Sequence, residues 1–411
     1  MSRRVLHVLA QRPSHTGSGT TLQALVRHAA ERDPDQHVIV GMPAGEPHPD
    51  IAGLPAQNVH PLVFGQGALD FALPGMSDVM PYASSRYRDL TDGQLERYRQ
   101  AWRAHLQRVI ERVRPALIHS HHVWIVSSLI KDVAGDLPVV THCHMTGLRQ
   151  MSLCPHLVDS VRRGVRRNER FLVLHEAQKQ ALIDALDVDP QRVVIVGAGY
   201  HESVFHARGR AGHPGESVLY AGKYSRAKGL PWLLSAVEGL RTQHPGLVLH
   251  VAGTGAGAEA EALRERMASM SAFVTMHGQV SQPVLADLMR RAAVFVLPSF
   301  YEGLPLVLVE AAASGCRVVA TRLTGVERDL APGLGDIAEW VPMPRLQSVD
   351  EPVAEDLPAF VEDLQGALAR ALQRAAVAER GDKVDLSAFT WNAVFERVVV
   401  VYQQLGHVSR Q

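Results

Sequence analysis

The sequence predicts an α/β protein with two domains facing a cleft, and three stretches carry this prediction. Residues 294–321 have the pattern of strand, loop, helix and strand, which is one βαβ unit of a parallel sheet. Residues 5–9 form an apolar strand, followed by a glycine-containing loop and an amphipathic helix. A second alternation of strands and helices begins at residue 218, after a stretch rich in glycine and proline. We therefore expect each half of the chain to be Rossmann-like.

Composition restricts the functional class. Positive and negative charges balance, with 42 Lys and Arg against 42 Asp and Glu, so nothing favours nucleic acid as a partner. The three cysteines form no disulfide framework, which is typical of a reducing compartment and predicts a cytoplasmic protein. Apolar runs are too short for a signal peptide or a membrane span, so we expect at most a peripheral membrane contact.

Two carboxylates in the 294–321 stretch suggest the ligand. Glu302 lies in the loop and Glu310 in the predicted helix, which we expect to begin with Pro305 in its first turn and to end at Gly315. Free N–H groups at the start of a helix favour an anion, whereas ionised carboxylates accept hydrogen bonds from sugar hydroxyls. An anion site flanked by two such carboxylates suits a sugar on each side of a diphosphate, which describes a nucleotide-sugar.

Two further loops carry candidate phosphate ligands. Gly17 and Gly19 lie between the first strand and its helix, where backbone N–H groups can face a phosphate; a plain strand-to-helix turn is the alternative. Lys223 and Lys228 share one short loop after the strand at 218–222. A lysine ammonium beside a diphosphate offsets the charge of the leaving group without a metal ion.

Histidines and cysteines cluster at residues 119–122, 142–145 and 154–156. We expect strands at 116–119 and 138–141, so these residues would follow the strands and line the sheet edge where ligands bind. The spacings match no standard zinc pattern, so no metal is assigned; a metal site and ordinary polar packing are the alternatives. Residues 43–91 lose regular periodicity, and we interpret them as an acceptor-side insertion, with a surface excursion as the alternative.

One rival interpretation comes from another class of enzyme. Gly253, Gly255 and Ala258 fit the glycine fingerprint of a nicotinamide-dependent oxidoreductase. That fingerprint requires an acidic residue at the end of the next strand, which we place at 273–276, and His277 and Gly278 follow it instead. The oxidoreductase is therefore the weaker hypothesis.

The segment LPSFYEGLPLVLVEAAASGCRVVAT at 297–321 resembles the E-x7-E signature of the family 4 retaining glycosyltransferases, which have the GT-B fold. The resemblance extends over nearly the whole chain. It implies an acceptor-side domain at 1–205, a nucleotide-sugar domain at 206–388 and a C-terminal helix at 389–411 that crosses back to the first domain.

The resemblance also implies roles for individual residues. His144 matches a histidine that approaches the transferred sugar in relatives, although Met145 and Gly147 replace the Gly and Asp of the family pattern there. Lys223 replaces the usual arginine, and Lys228 with the following glycine preserves the family pattern. The segment containing His277 and Gly278 is similar to the loop that receives the nucleotide base.

These roles are expected to divide as follows. Gly17 and Gly19, with Lys223 and Lys228, face the diphosphate, and Glu310 binds the ribose. Glu302 positions the donor sugar with Gly303 and Leu304. We expect the catalytic residues to be His144, Lys228 and Glu302.

The predicted reaction is metal-independent transfer of a sugar from a nucleotide diphosphate sugar, with UDP as the expected carrier, and retention of anomeric configuration. The acceptor is a small molecule, a glycan or a lipid-linked compound, and no cofactor is expected. A sugar-nucleotide 2-epimerase of the same fold, a phosphorylase and a non-catalytic nucleotide-sugar binder are the alternatives, and nothing supports the pyridoxal cofactor that a phosphorylase needs.

Overall fold

A computed structural model describes residues 4–13, 16–77, 80, 82–210, 215–377 and 384–408. The chain forms two compact units. Unit 1 comprises Met1–Gly199 and Trp391–Gln411, and unit 2 comprises Tyr200–Thr390. Residues 211–214, which belong to the glycine- and proline-rich stretch expected between the domains, lie outside the described residues.

Unit 1 is built on a seven-stranded sheet in the order β3-β2-β1-β6-β7-β8-β9, and all its neighbouring strands are parallel. A separate pair of two-residue strands, β4 and β5, lies outside this sheet. The strands of unit 1 are β1 Val5–Leu9, β2 His37–Pro43, β3 Val59–Phe64, β4 Pro74–Gly75, β5 Ser85–Arg86, β6 Leu117–His121, β7 Val139–His142, β8 Arg170–Val173 and β9 Val193–Ile195.

Helices connect these strands and bury apolar side chains in the cores of the unit, against the sheet or against other helices. The longest begins at a capping box in which the Thr91 side chain accepts from the Gln94 N–H and the Gln94 side chain accepts from the Thr91 N–H. The helices are α1 Gly17–Arg32, α2 Asp92–Val113, α3 Ile125–Ala134, α4 Met145–Leu153, α5 Pro155–Val165 and α6 Glu176–Leu186.

The expectation that residues 43–91 lack regular structure is wrong in part. Strand β3 forms one edge of the unit 1 sheet and pairs with β2 along its whole length. Pro61 lies in the middle of this strand and argues against a strand in the sequence, because proline has no N–H to donate to a neighbouring strand. It is tolerated here because β3 is at the edge of the sheet. Other side chains of this segment, such as Phe71, Leu73 and Tyr87, are buried in the main core of unit 1.

Unit 2 is built on a six-stranded parallel sheet in the order β12-β11-β10-β13-β14-β15. Its strands are β10 Ser217–Ala221, β11 Val248–Ala252, β12 Val274–Gly278, β13 Val294–Leu297, β14 Arg317–Thr321 and β15 Ala338–Val341. Its helices are α7 Leu230–Leu240, α8 Ala258–Ser269, α9 Gln282–Arg291, α10 Leu306–Ala313, α11 Thr324–Leu334 and α12 Leu357–Val377. Separate apolar clusters bury the two faces of this sheet.

The last helix, α13 Trp391–Val408, belongs to unit 1. Its apolar side chains, including Trp391, Phe395 and Tyr402, pack against Val5 and Leu117 on one face of the unit 1 sheet. The chain therefore returns to its first unit after completing the second. Among the described residues, the helices are all too short or too polar to cross a membrane.

Candidate functional site

The most distinctive polar groups of unit 2 lie in the loops that follow β10 and β13. These two strands are neighbours at the point where the order of the parallel sheet reverses, because β11 lies on the other side of β10 and β14 on the other side of β13. Ligands of open parallel sheets bind beside the carboxyl ends of the strands at such a reversal. The loops at 222–229 and 298–305 both leave the sheet there.

An ion pair joins the two loops. Lys228 Nζ lies 2.7 Å from Glu302 Oε1, and the side chains are 26% and 15% exposed. Lys228 Nζ also lies 3.4 Å from the Tyr301 carbonyl oxygen, and the Phe300 N–H donates to the Ala227 carbonyl at 3.0 Å. The structure thus brings two predicted site residues into direct contact and holds their loops together.

Glycine is required where these loops meet. Gly229 has a φ of +72°, and a Cβ atom there would lie 1.9 Å from the Pro298 carbonyl oxygen. A side chain at this position would push the two loops apart, so the Lys228–Glu302 pair depends on the glycine that follows the lysine.

Helix α10 begins directly after Gly303 and Leu304. Pro305 is the N-cap residue rather than part of the first turn, and the helix ends at Ala313 rather than at Gly315. Ser314 is its C-cap, because the chain turns there into the left-handed Gly315, whose φ is +92°. Among the described residues, the N–H groups of Gly303 and Leu304 have no hydrogen-bond partner. Two free donors and the positive end of the helix dipole make this turn suitable for an anion.

Glu310 lies one helical turn and a half into α10 and is partly exposed. Burial of the carboxyl raises its pKa from 4.5 to about 7. Its carboxyl oxygens have no hydrogen-bond partner among the described residues. A carboxylate without a partner in a poorly solvated position is suited to accept hydrogen bonds from ligand hydroxyls.

Lys223 differs from Lys228 because its side chain is exposed. Its backbone carbonyl accepts a hydrogen bond of 2.7 Å from the hydroxyl of Tyr220, which burial and the nearby charge of Glu302 keep protonated by raising its pKa. Tyr220 was not predicted as a site residue, since a tyrosine within an apolar strand gives no functional signal. Ser299 was also missed: its hydroxyl is buried without a partner among the described residues, and its place in the quoted motif was the available signal.

His277 and Gly278 are the last two residues of β12, although the sequence predicts that this strand ends at residue 276. The strand continues because the Gly278 carbonyl accepts the Gly253 N–H at 2.7 Å, across a register shift in β11. His277 Nε2 lies 3.0 Å from His250 Nδ1, and burial lowers the pKa of both imidazoles. Both predicted residues therefore lie at the carboxyl edge of the sheet, two strands away from β10.

In unit 1, Gly17 and Gly19 lie within the first turn of α1 rather than in the loop before it. Thr16 caps the helix and accepts the Gly19 N–H at 3.1 Å, so this N–H is already engaged. A Cβ atom at Gly19 would lie 1.9 Å from the Pro13 carbonyl oxygen, whereas a Cβ atom at Gly17 would meet nothing within 4 Å. Close packing against Pro13 thus explains why residue 19 is a glycine. Gly17, by contrast, has space for a side chain.

His144 is the N-cap residue of α4 and is partly exposed. Its Nε2 lies 3.1 Å from His121 Nδ1, and its ring stacks on His142 with centroids 4.8 Å apart. The expectation that these histidines follow the strands is wrong for three of them, since β6 includes His119 and His121 and β7 includes His142. The side chains of His119, His121 and His142 are buried in the core as part of these strands. Burial lowers the pKa of each imidazole, so the rings are neutral. His156 is exposed, outside this group.

Two family models match the chain. "Glycosyl transferase 4-like domain" matches residues 16–199, and "Glycosyl transferases group 1" matches residues 215–338. The chain is 30% identical over 294 residues to D-inositol 3-phosphate glycosyltransferase of Arthrobacter sp. (strain FB24), and this alignment covers 66% of the chain and 69% of the relative.

Solved structures show the same fold at low sequence identity. Sucrose-phosphate synthase from Thermosynechococcus elongatus matches with a TM-score of 0.63 and 17% identity, covering 99% of this chain and 100% of that one. The Anabaena protein HepE in complex with UDP and glucose matches with a TM-score of 0.59 and 14% identity, covering 98% of this chain and 100% of that one.

Two units, each built on a parallel sheet, and the match to these structures over nearly the whole chain define the GT-B fold of the glycosyltransferases. The matched models and the inositol phosphate relative place the chain within that class: it belongs to the family 4 glycosyltransferases.

Proposed function

We propose that the protein transfers a sugar from a nucleotide diphosphate sugar to a polar acceptor with retention of anomeric configuration. One observation carries the proposal: Lys228 and Glu302 form an ion pair of 2.7 Å where β10 and β13 end, next to the open start of α10. A cation, free backbone donors and a carboxylate then lie in one small region, which suits a diphosphate attached to a sugar.

Lys228 stabilises the departing diphosphate in this proposal. Its ammonium has three donors, so it can keep its bond to Glu302 while donating to a phosphate oxygen. Lys223, which is exposed in the same loop, adds a second positive charge. The N–H groups of Gly303 and Leu304 donate hydrogen bonds to phosphate oxygens at the helix start, so stabilisation of the leaving group needs no metal ion in this proposal.

The two glutamates bind hydroxyl groups on either side of the diphosphate. Only one oxygen of Glu302 contacts Lys228, so the other is available to a hydroxyl of the donor sugar. Glu310 accepts hydrogen bonds from the ribose hydroxyls. These hydrogen bonds favour the ionised carboxylate over the protonated form. His277 and Gly278 receive the base at the end of β12.

UDP is the proposed nucleotide. Support comes from HepE, whose structure holds UDP and glucose, although that likeness is one of fold. For the acceptor, the name of the Arthrobacter relative favours a phosphorylated polyol of the inositol phosphate kind. Unit 1 binds this acceptor in our proposal, with His144 acting on the sugar that is transferred, Gly17 contacting a phosphate at the start of α1, and residues 43–91 shaping specificity. We propose a cytoplasmic location.

The test is a transfer assay with the full chain and no added metal. UDP-, GDP- and ADP-linked glucose and mannose are each offered with inositol phosphate and with inositol as the matched unphosphorylated acceptor, and the released nucleotide is quantified. NMR coupling constants of the product give its anomeric configuration. We expect release with one nucleotide and an α-linked product from an α-linked donor. A β-linked product would contradict retention, and a 2-epimer formed without acceptor would favour the epimerase.

A further inference from the structure

Three histidines lie side by side in the interior of unit 1. His7 is in β1, and His119 and His121 are in β6, with His7 paired to His119 and Leu9 to His121 in register. They point to the same face of the sheet as Val5 and Leu117, because side chains alternate along a strand. That face packs against α13. The histidines therefore lie between the sheet and the last helix of the chain.

Several imidazole nitrogens in this group have no protein partner. His7, His119 and His121 are 0%, 0% and 2% exposed. Both ring nitrogens of His7, and Nε2 of His119 and of His121, are buried without a hydrogen bond among the described residues. Native cores rarely leave buried polar atoms unsatisfied, so nitrogens without a protein partner are candidates for binding an ion or a water molecule.

The other nitrogens of the two β6 histidines are engaged. His119 Nδ1 lies 2.6 Å from the Tyr402 hydroxyl of α13, and His121 Nδ1 lies 3.1 Å from His144 Nε2. Histidines that bind metals are held in this way, with one nitrogen hydrogen-bonded outward and the other directed at the ion. All three imidazoles are buried, and a metal binds the lone pair of a neutral imidazole.

We propose that His7, His119 and His121 bind one divalent transition-metal ion in unit 1. Among the described residues, they are the only set of three or more His, Cys, Asp or Glu side chains whose ligand atoms all lie within 4.8 Å of one another. Imidazole nitrogens favour zinc, cobalt, nickel or copper over magnesium and calcium. Three protein ligands leave a fourth position for a water molecule.

Binding requires a small rearrangement. Nitrogens around a tetrahedral ion with bonds of about 2.0 Å are about 3.3 Å apart, so the three nitrogens must approach one another. The rings of His119 and His121 are stacked at 4.8 Å and 6°, and at least one must turn about its Cβ–Cγ bond to direct its lone pair at a shared ion. The ion would then join β1 to β6 below the edge where His144 lies. This is a structural role, independent of the proposed sugar transfer.

The experiment uses Co²⁺ as a coloured probe of nitrogen ligands. The full chain, free of any histidine tag, is stripped with chelator and titrated with Co²⁺ and then Zn²⁺. We expect visible absorption bands that saturate at one ion per chain and are abolished by Zn²⁺. His7→Gln and His121→Gln should each weaken binding by at least about 100-fold, and Tyr402→Phe by about tenfold.

His142→Gln is the matched control. His142 is equally buried and stacks on His119 and His121, but it lies outside the set of three. We expect the affinity of His142→Gln for Co²⁺ to stay within about threefold of that of the unmodified chain. Equal weakening by His142→Gln and His7→Gln would overturn the assignment, as would binding that none of the variants changes, which would indicate exposed histidines.

X-ray absorption on the unmodified chain covers the case in which the buried variants fail to fold. With one equivalent of Zn²⁺, we expect a first shell that contains three imidazole nitrogens at about 2.0–2.1 Å. A shell of water oxygens alone, or the absence of stoichiometric binding, would overturn the proposal without any substitution.

Discussion

Lys228 and Glu302 show how the candidate site depends on single residues. They are 74 positions apart in the sequence and 2.7 Å apart in the structure. Each is only partly exposed, and each retains capacity for further hydrogen bonds. A pair of this kind contributes little to stability at a protein surface, so its position where β10 and β13 end points to ligand binding.

Lys228→Ala should lower turnover far more than stability. We expect turnover to fall by about 100-fold or more, because the variant loses a positive charge beside the leaving group. The free energy of unfolding should change by about 1 kcal/mol, as for other partly exposed ion pairs. Steady-state nucleotide release and urea unfolding measure the two effects, with Lys179→Ala in α6 as the control. Near-normal turnover in Lys228→Ala would contradict the proposed role.

Glu310 should make the stability of unit 2 depend on pH. Its pKa is about 7 in the folded protein and 4.5 without the surrounding structure, so the folded state binds the extra proton between these values. The cost of ionising Glu310 is therefore absent below about pH 4.5, grows as pH rises, and is complete above pH 7.

Glu310→Gln removes this cost. We expect its Tm to exceed that of the unmodified chain by about 5 °C at pH 8 and to match it near pH 4.5, while nucleotide-sugar affinity falls by tenfold or more. Glu265→Gln, at an exposed position of α8, is the matched control. Thermal unfolding across this pH range provides the measurement. A lower Tm for Glu310→Gln at pH 8 would mean that the carboxylate is stabilised by the fold.

At the level of elements, the sequence predicts some strands and misses others, depending on the residues at their ends and centres. The βαβ unit at 294–321 was predictable because its apolar strands are bounded by proline, serine and glycine. Strand β3 was not, because Pro61 interrupts it, and only its place at the sheet edge makes that proline acceptable. The buried histidines of β6 and β7 resemble loop residues in sequence, since nothing local indicates that the fold will keep them neutral.

The same limit applies to the candidate site. Glu302, Glu310 and Lys228 were identified from residue type and motif. The contact between Lys228 and Glu302 was not, because it depends on two loops brought together by the order of β10 and β13. Tyr220 and His7 were beyond sequence reasoning, since each lies within an apolar strand and its contacts are entirely tertiary.

The first turn of α1 offers a direct test of how its glycines act. Gly17→Ala should leave the free energy of unfolding unchanged or raise it by up to about 1 kcal/mol, because alanine favours a helix and its Cβ meets nothing. Gly19→Ala should lower it by more than about 2 kcal/mol, since its Cβ would overlap the Pro13 carbonyl. Urea unfolding of the matched pair distinguishes them. Equal effects would show that the turn is looser than the structure indicates.

At the level of the whole molecule, the proposed site residues are distributed over two units, each built on a parallel sheet. Unit 2 holds the lysines, glutamates and helix start proposed to bind the donor, and unit 1 holds His144 and the buried histidines. Helix α13 returns the chain to unit 1 and covers one face of its sheet. Family membership and the match to solved glycosyltransferases support the two-unit GT-B fold.

The central claim is that unit 2 binds a nucleotide diphosphate sugar through Lys228, Glu302 and Glu310. Thermal unfolding of the full chain with UDP-, GDP- and ADP-sugars, without added metal, tests it most directly, since a ligand that binds the folded state raises Tm by mass action. We predict that one nucleotide class raises Tm and that Lys228→Ala abolishes most of the increase. An unchanged Tm with every donor, or an equal increase in Lys228→Ala, would contradict the account.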